Sequence, residues 1–261
     1  MKYFFAIALI FIAYNTSLSQ SDATQFRKEY FSNKNLVPTE YKRQFASTDL
    51  SRLWMHTENK FVYGFIGENF QRLRIKFVKV IKDSTNTGTY HVFGKTMVKN
   101  NINDFEGTIN VSAIKKYRIT GYGVDDEFKN KGIKGQFIII GDYTISEDKK
   151  QLHSGVFSGA FATSFYLDKN NKVYYDDIEL NADGYSNNEF VGTWIQYGAT
   201  KSKKCNWGDY RIPYGDAFDI GAGEFSPNSK YFKFGWENFE FINSNNEKGK
   251  RSKQQENARW W

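Results

Sequence analysis

The chain has 261 residues, with 36 Lys+Arg against 29 Asp+Glu, a formal net charge of +7 and a single cysteine. One cysteine excludes an internal disulfide, so the fold must rest on burial, for which this length is ample. The basic residues are dispersed along strand faces and form no stripe or recognisable module, which argues against a nucleic-acid partner despite the positive charge.

Residues 1–19, MKYFFAIALIFIAYNTSLS, carry one positive charge at Lys2, an apolar run from Tyr3 to Tyr14, and small residues Ser17 and Ser19 where a signal peptidase reads. A secretory signal cut before Gln20 is expected, which sends the chain to the periplasm or outside the cell. The run falls short of the ~20 apolar residues of a membrane helix and no later stretch reaches that length, so no membrane span is expected. No cysteine stands near the cleavage site to accept a lipid.

Residues 20–52 read as an N-terminal helical or irregular segment. Short helices are expected at 24–31, with Asp22 as the cap, and at 39–45, after Pro38. From 53 to 242 period-two alternation dominates. In RLRIKFVKV, Leu73, Ile75 and Phe77 face one way while Arg72, Arg74 and Lys76 face the other, and the shift at Phe77-Val78 predicts a bulge. FVYGFI joins this strand through the turn GEN. Further strands are expected at 90–98, 105–113, 136–145, 155–167, 173–178, 190–197 and 231–242, with a hairpin turn at Asp168-Lys169-Asn170-Asn171. Many short strands with 18% aromatic residues predict an all-β fold, an antiparallel β-sandwich or a meander barrel, built as one unit or as two halves, 53–147 and 148–242. Residues 243–261 are polar and aperiodic and predict a flexible tail.

A weak repeat runs through the β-rich region. FEGTI at 105–109, FSGAF at 157–161 and FVGTW at 190–194 share Phe-x-Gly-x-apolar, which places Phe, Gly and the last residue on one strand face. Glycine there makes room for a crossing aromatic ring, or opens a ligand cavity inside a barrel.

Phe190 followed by Gly192-Thr193-Trp194 resembles the Gly-x-Trp motif of the calycins, the lipocalin-like barrels, and implies a small apolar ligand. The chain departs from that family in leaving only residues 195–261 after the motif. More broadly, GKTMVKNNINDFEGTI, HSGVFSGAF and NEFVGTWIQYGATKSKKCNWGDYRIP are similar to uncharacterised exported β-rich proteins of Bacteroidota-type bacteria. That resemblance implies an exported β protein and supplies no catalytic residue.

The candidate contact surface is CNWGDYRIP. Trp207, read as lying on a turn, would stack on a planar group while Asp209, Tyr210 and Arg211 supply directional hydrogen bonds, with Trp194 nearby in a strand and read as core. The competing reading is a folded corner in which Arg211 pairs with Asp209 or Asp216 and Trp207 caps the core. Cys205 reads as a small buried hydrophobe rather than a reactive thiol. In DAFDIGAGEFSPN, Asp216, Asp219 and Glu224 stand among glycines and form a candidate Ca²⁺ loop, weighed against solvated turn carboxylates. No other cofactor is expected. Carbohydrate hydrolysis would need paired carboxylates, for which Asp176, Asp177, Asp209 and Glu224 are available. Asp176 and Asp177 are adjacent on a strand and point to opposite faces, one toward solvent and one toward a cross-strand Lys or Arg. The expected function is therefore an exported protein that binds a glycan or a small apolar ligand, more a binder than an enzyme. A secreted carbohydrate hydrolase and a structural surface-associated protein are the alternatives.

Overall fold

The computed structural model describes residues 18–261, with side chains from Asp22 onward except that of Asp216. Nine strands carry the fold: β1 (Val62–Ile66), β2 (Gln71–Lys82), β3 (Thr89–Val98), β4 (Asn101–Lys116), β5 (Gly135–Glu147), β6 (Gly155–Leu167), β7 (Val173–Tyr175), β8 (Asn187–Gln196) and β9 (Lys203–Asp209). Strands β1 to β6 pair in sequence, β8 pairs with β6, β9 with β8, and β9 returns to β1. All pairings are antiparallel, so eight strands close into a barrel and β7 adds a short edge to the end of β6. Of the two all-β alternatives the barrel is the one realised. It is a single unit, because the two expected halves are joined along both β5–β6 and β1–β9.

Alternation fills the interior. Leu73, Ile75, Phe77, Phe105, Ile109, Tyr143, Phe157, Phe161, Phe190 and Trp207 belong to one core, and the expected bulge lies between Phe77 and Lys79. In the Phe-x-Gly-x-apolar repeat, the Phe and the final apolar residue of each copy belong to this core. Glycine there serves close approach: a Cβ on Gly192 would lie 2.6 Å from the Tyr143 hydroxyl, and one on Gly159 would lie 2.7 Å from the Cα of Gly192 on the paired strand.

Helix α1 (Leu18–Phe31) lies on the outer face of β5, β6 and β8, where Ala23 and Phe26 meet Ile138, Ile140, Ala160, Ala162 and Val191. This second covered face explains the unbroken apolar run of FIII in β5, since a strand buried on both sides has no polar alternation. The helix begins before the expected 24–31 span, so Asp22 sits inside it and pairs with Lys204 at 3.1 Å instead of capping it. The expected cleavage before Gln20 falls within its first turn, and residues 1–17 of the expected signal lie outside the described residues.

Two further expectations are corrected in shape. The 39–45 segment forms turns rather than a helix, and the chain from there onward enters one end of the barrel, where Phe45, Leu50, Leu53 and Trp54 join the interior core. The expected 173–178 strand stops at Tyr175.

After β9 the chain crosses the outside of β1 and builds a second aromatic core from Phe65, Ile212, Phe218, Phe225 and Trp236. The strand expected at 231–242 is instead two 3₁₀ turns, Ser229–Phe234 and Glu237–Glu240, separated by Gly235 at φ 96°. Its aromatics satisfy both periods, and the turn-forming glycine decides between them. The tail, expected to be flexible, forms α2 (Glu247–Asn257), capped by the Asn246 side chain, which accepts from the Gly249 amide at 3.0 Å. No helix among the described residues is long and apolar enough to cross a membrane.

Candidate functional site

Antiparallel order puts the ends of β1, β3, β5 and β8 and the starts of β2, β4, β6 and β9 at one mouth of the barrel. The opposite end is closed by the segment running through Phe45 to Thr57. A buried hydrogen-bond chain fastens that plug. The Trp54 indole N–H donates to Thr163 Oγ1 at 3.0 Å, the Thr163 hydroxyl to Asn188 Oδ1 at 2.9 Å, and Asn188 Nδ2 to the Leu53 carbonyl at 2.9 Å and to Asp209 at 2.7 Å. Asp209 also accepts from Thr57 Oγ1 at 2.7 Å and the Tyr175 hydroxyl at 2.8 Å. Burial pushes its carboxyl up to about 6, against the pull of those three donors and of Lys76.

The sequence-derived site is thus divided by the fold. Asp209, expected at a contact surface, is a buried anchor of the plug. Trp207, expected on a turn, is 1% exposed inside the barrel, stacked on Phe190 at 4.7 Å and edge-on to Tyr143 at 4.9 Å. The reason is that KKCNWGD continues as β9, with Cys205 and Trp207 alternating inward; Gly208 ends no strand. Cys205 is fully buried, and burial pushes its thiol well up, as an inert core residue requires. Tyr210 leaves the strand at φ 65° and stacks on Phe61 at 5.2 Å.

Arg211 does not pair with Asp209, and the expected alternative, Asp216, has a side chain outside those described. Arg211 donates to Asp219 at 2.8 Å and to the carbonyls of Gly223 at 3.2 Å and Ala222 at 3.3 Å. The other Asp219 oxygen accepts the amides of Gly221 at 3.1 Å and Ser226 at 3.0 Å. The candidate Ca²⁺ loop is folded around a guanidinium, with Glu224 exposed; the side chain of Asp216 lies outside those described, among which no group of three metal-ligating side chains occurs. Asp176 faces the amide of Gln136 at 2.8 Å rather than a Lys or Arg, and burial pushes it up to about 6.

Only Trp194 of the expected residues reaches the open mouth. There a cavity of about 990 Å³ is lined by the apolar side chains Ile66, Val98, Phe157 and Trp194, by Thr96, Asn101, Asn103 and Glu147, and at the rim by Glu68, Lys99, His153, Lys201 and Lys203. Glu147 continues the inward series Tyr143, Ile145, Glu147. It accepts the Trp194 indole N–H at 3.0 Å, the Gly155 amide at 2.8 Å and the Thr96 hydroxyl, so this buried carboxylate is held by three donors. Asn101 and Asn103 both donate to the Leu152 carbonyl, at 3.0 and 3.2 Å, and tie down the β5–β6 turn. The Oδ1 of Asn103, a residue only 2% exposed, has no donor. Trp194 is itself 6% exposed, with Lys203 Nζ 5.4 Å above its ring.

Glu147 and Asn103 escaped the sequence reading, although period-two counting from Tyr143 and Phe105 marks both as inward-facing polar residues. What was missing was the strand order that brings them beside Trp194. Compared with known protein families, with curated proteins and with solved structures, the chain matches none.

Proposed function

We propose that the chain is an exported binding protein that takes a small, largely apolar ligand into the open mouth of its barrel. The observation that carries this reading is the asymmetry of the two ends: one is plugged by the chain's own aromatic residues, while the other keeps a cavity of about 990 Å³ over apolar side chains. Small-ligand sites span roughly 300–1,000 Å³ and combine apolar walls with a few fixed polar groups. Here Glu147 and the Asn101–Asn103 pair are fixed by the hydrogen bonds described above. An apolar ligand is favoured over a glycan because the ring of Trp194 is largely covered and its N–H is already taken by Glu147. Hydrolysis by paired carboxylates has less to build on, since Asp176, Asp209 and Glu147 are each occupied by donors from their own surroundings.

The test is titration with a neutral naphthylamine dye whose emission rises in apolar surroundings. Saturable one-to-one binding is expected, and Val98→Trp, which fills the mouth from a half-buried position, should abolish it without lowering the melting temperature. Absence of saturable binding, or binding indifferent to Val98→Trp, would sink the proposal.

A further inference from the structure

The charges around the mouth are unevenly answered. The acids nearest the cavity are engaged: Glu147 by three donors, and Asp22 by Lys204 at 3.1 Å. Glu68 is exposed at the rim. Against it stand Lys99, Lys201 and Lys203, all exposed, and no ion pair among the described residues engages any of them. Lys99 comes from the β3–β4 turn, Lys201 from the β8–β9 turn and Lys203 from the start of β9, at the same mouth, so the closure of the barrel brings the two hairpins to one cavity. Lys203 holds its ammonium over the Trp194 ring, at the junction of the apolar wall and the rim.

Resting on the mouth-binding reading, we infer that the ligand is an anionic amphiphile, its apolar body against Ile66, Val98, Phe157 and Trp194 and its carboxylate or phosphate among Lys99, Lys201 and Lys203. Apolar burial supplies affinity without direction, whereas the lysines fix which end faces water. A cationic head would meet three ammonium groups, and a neutral one would leave them unanswered.

Calorimetric titrations with four compounds sharing one dodecyl chain test this: dodecanoate, dodecyl phosphate, dodecanol and dodecyltrimethylammonium, each below its micellar concentration and at low salt. Both anions should bind more tightly than the alcohol and the ammonium compound, by about tenfold, and added salt should narrow the gap. The triple variant Lys99→Gln, Lys201→Gln, Lys203→Gln should lose the preference while keeping the alcohol's affinity. Tighter phosphate than carboxylate would identify a phosphate ester as the head, and the reverse a free acid; either supports the inference. Equal affinities for all four, or a preference that survives the triple variant, would overturn the inference and leave the mouth site standing. No binding by any of the four would overturn both.

Discussion

Both tryptophans of the β8–β9 hairpin belong to the interior core, Trp207 deep inside it and Trp194 at the cavity, and single substitutions separate them. Trp207 lies at the middle of the barrel between Phe190 and Tyr143, so Trp207→Ala leaves a closed cavity and should cost about 3–5 kcal/mol in denaturant unfolding. Trp194→Ala opens into the mouth, where solvent refills the space, and should cost less while changing the dye response. Equal costs would contradict this placement. Asp209 gives a pH signature. Its folded carboxyl keeps its proton up to about 6, above the ordinary 3.8, so between those values the folded chain binds more protons than the unfolded one. Stability from this group is therefore greatest at low pH and falls as pH rises from about 4 to about 6. Asp209→Asn should flatten that part of the melting-temperature profile, leaving the parallel contribution of Asp176. Superimposable slopes in the two proteins would refute the assignment.

At the scale of elements, legibility followed the origin of each contact. Strands β2 to β6 could be read because one period governs both their local geometry and their inward face. Helix α2 could not, because its attachment is electrostatic and reaches back to a distant strand. Glu256 accepts from Arg72 Nη1 at 2.8 Å and Nη2 at 2.5 Å, from Arg74 at 3.0 Å and from Asn238 at 2.7 Å. In the sequence, Arg72 and Arg74 look like the solvated face of a strand, and the tail looks too polar to dock. Burial alone would raise the Glu256 carboxyl, but Arg72 and Arg74 bring it below its ordinary value. Removing one side of a buried pair strands the other, so Glu256→Ala should cost about 3–5 kcal/mol. For a chain of this size that is a fall on the order of 10 °C in melting temperature. A change within a degree or two would mean that α2 contributes nothing to the fold.

For the whole molecule, the decisive fact is closure, which no local pattern encodes. Alternation specifies an inward face for each strand but not which strand is its neighbour, so sandwich, barrel and paired half-domains all fit the same sequence pattern. The plug was illegible for the same reason: Phe45, Leu50, Leu53 and Trp54 have no strand or helix period of their own and are ordered by the barrel end they fill. Closure has a measurable consequence. If 53–147 and 148–242 were separate halves, each would unfold with its own midpoint. Instead β5 pairs with β6 from Gly135↔Leu167 to Ser146↔Val156, and β1 pairs with β9 from Val62↔Asp209 to Ile66↔Cys205. Neither half can keep its strands paired at both edges once the other opens, and an interior core drawn from both halves loses its walls at the same moment. Unfolding should therefore be a single cooperative transition. A quantitative check would place one reporter in each half, Trp54 against the β6 wall and Trp207 in β9, by replacing the remaining tryptophans with phenylalanine in each of two variants stable enough to study. Their fluorescence midpoints, each compared with the far-ultraviolet dichroism of the same protein, should coincide within error. A reporter that melts ahead of the backbone signal would show that its half opens independently, and the seams at β5–β6 and β1–β9 would then be weaker than their pairing implies.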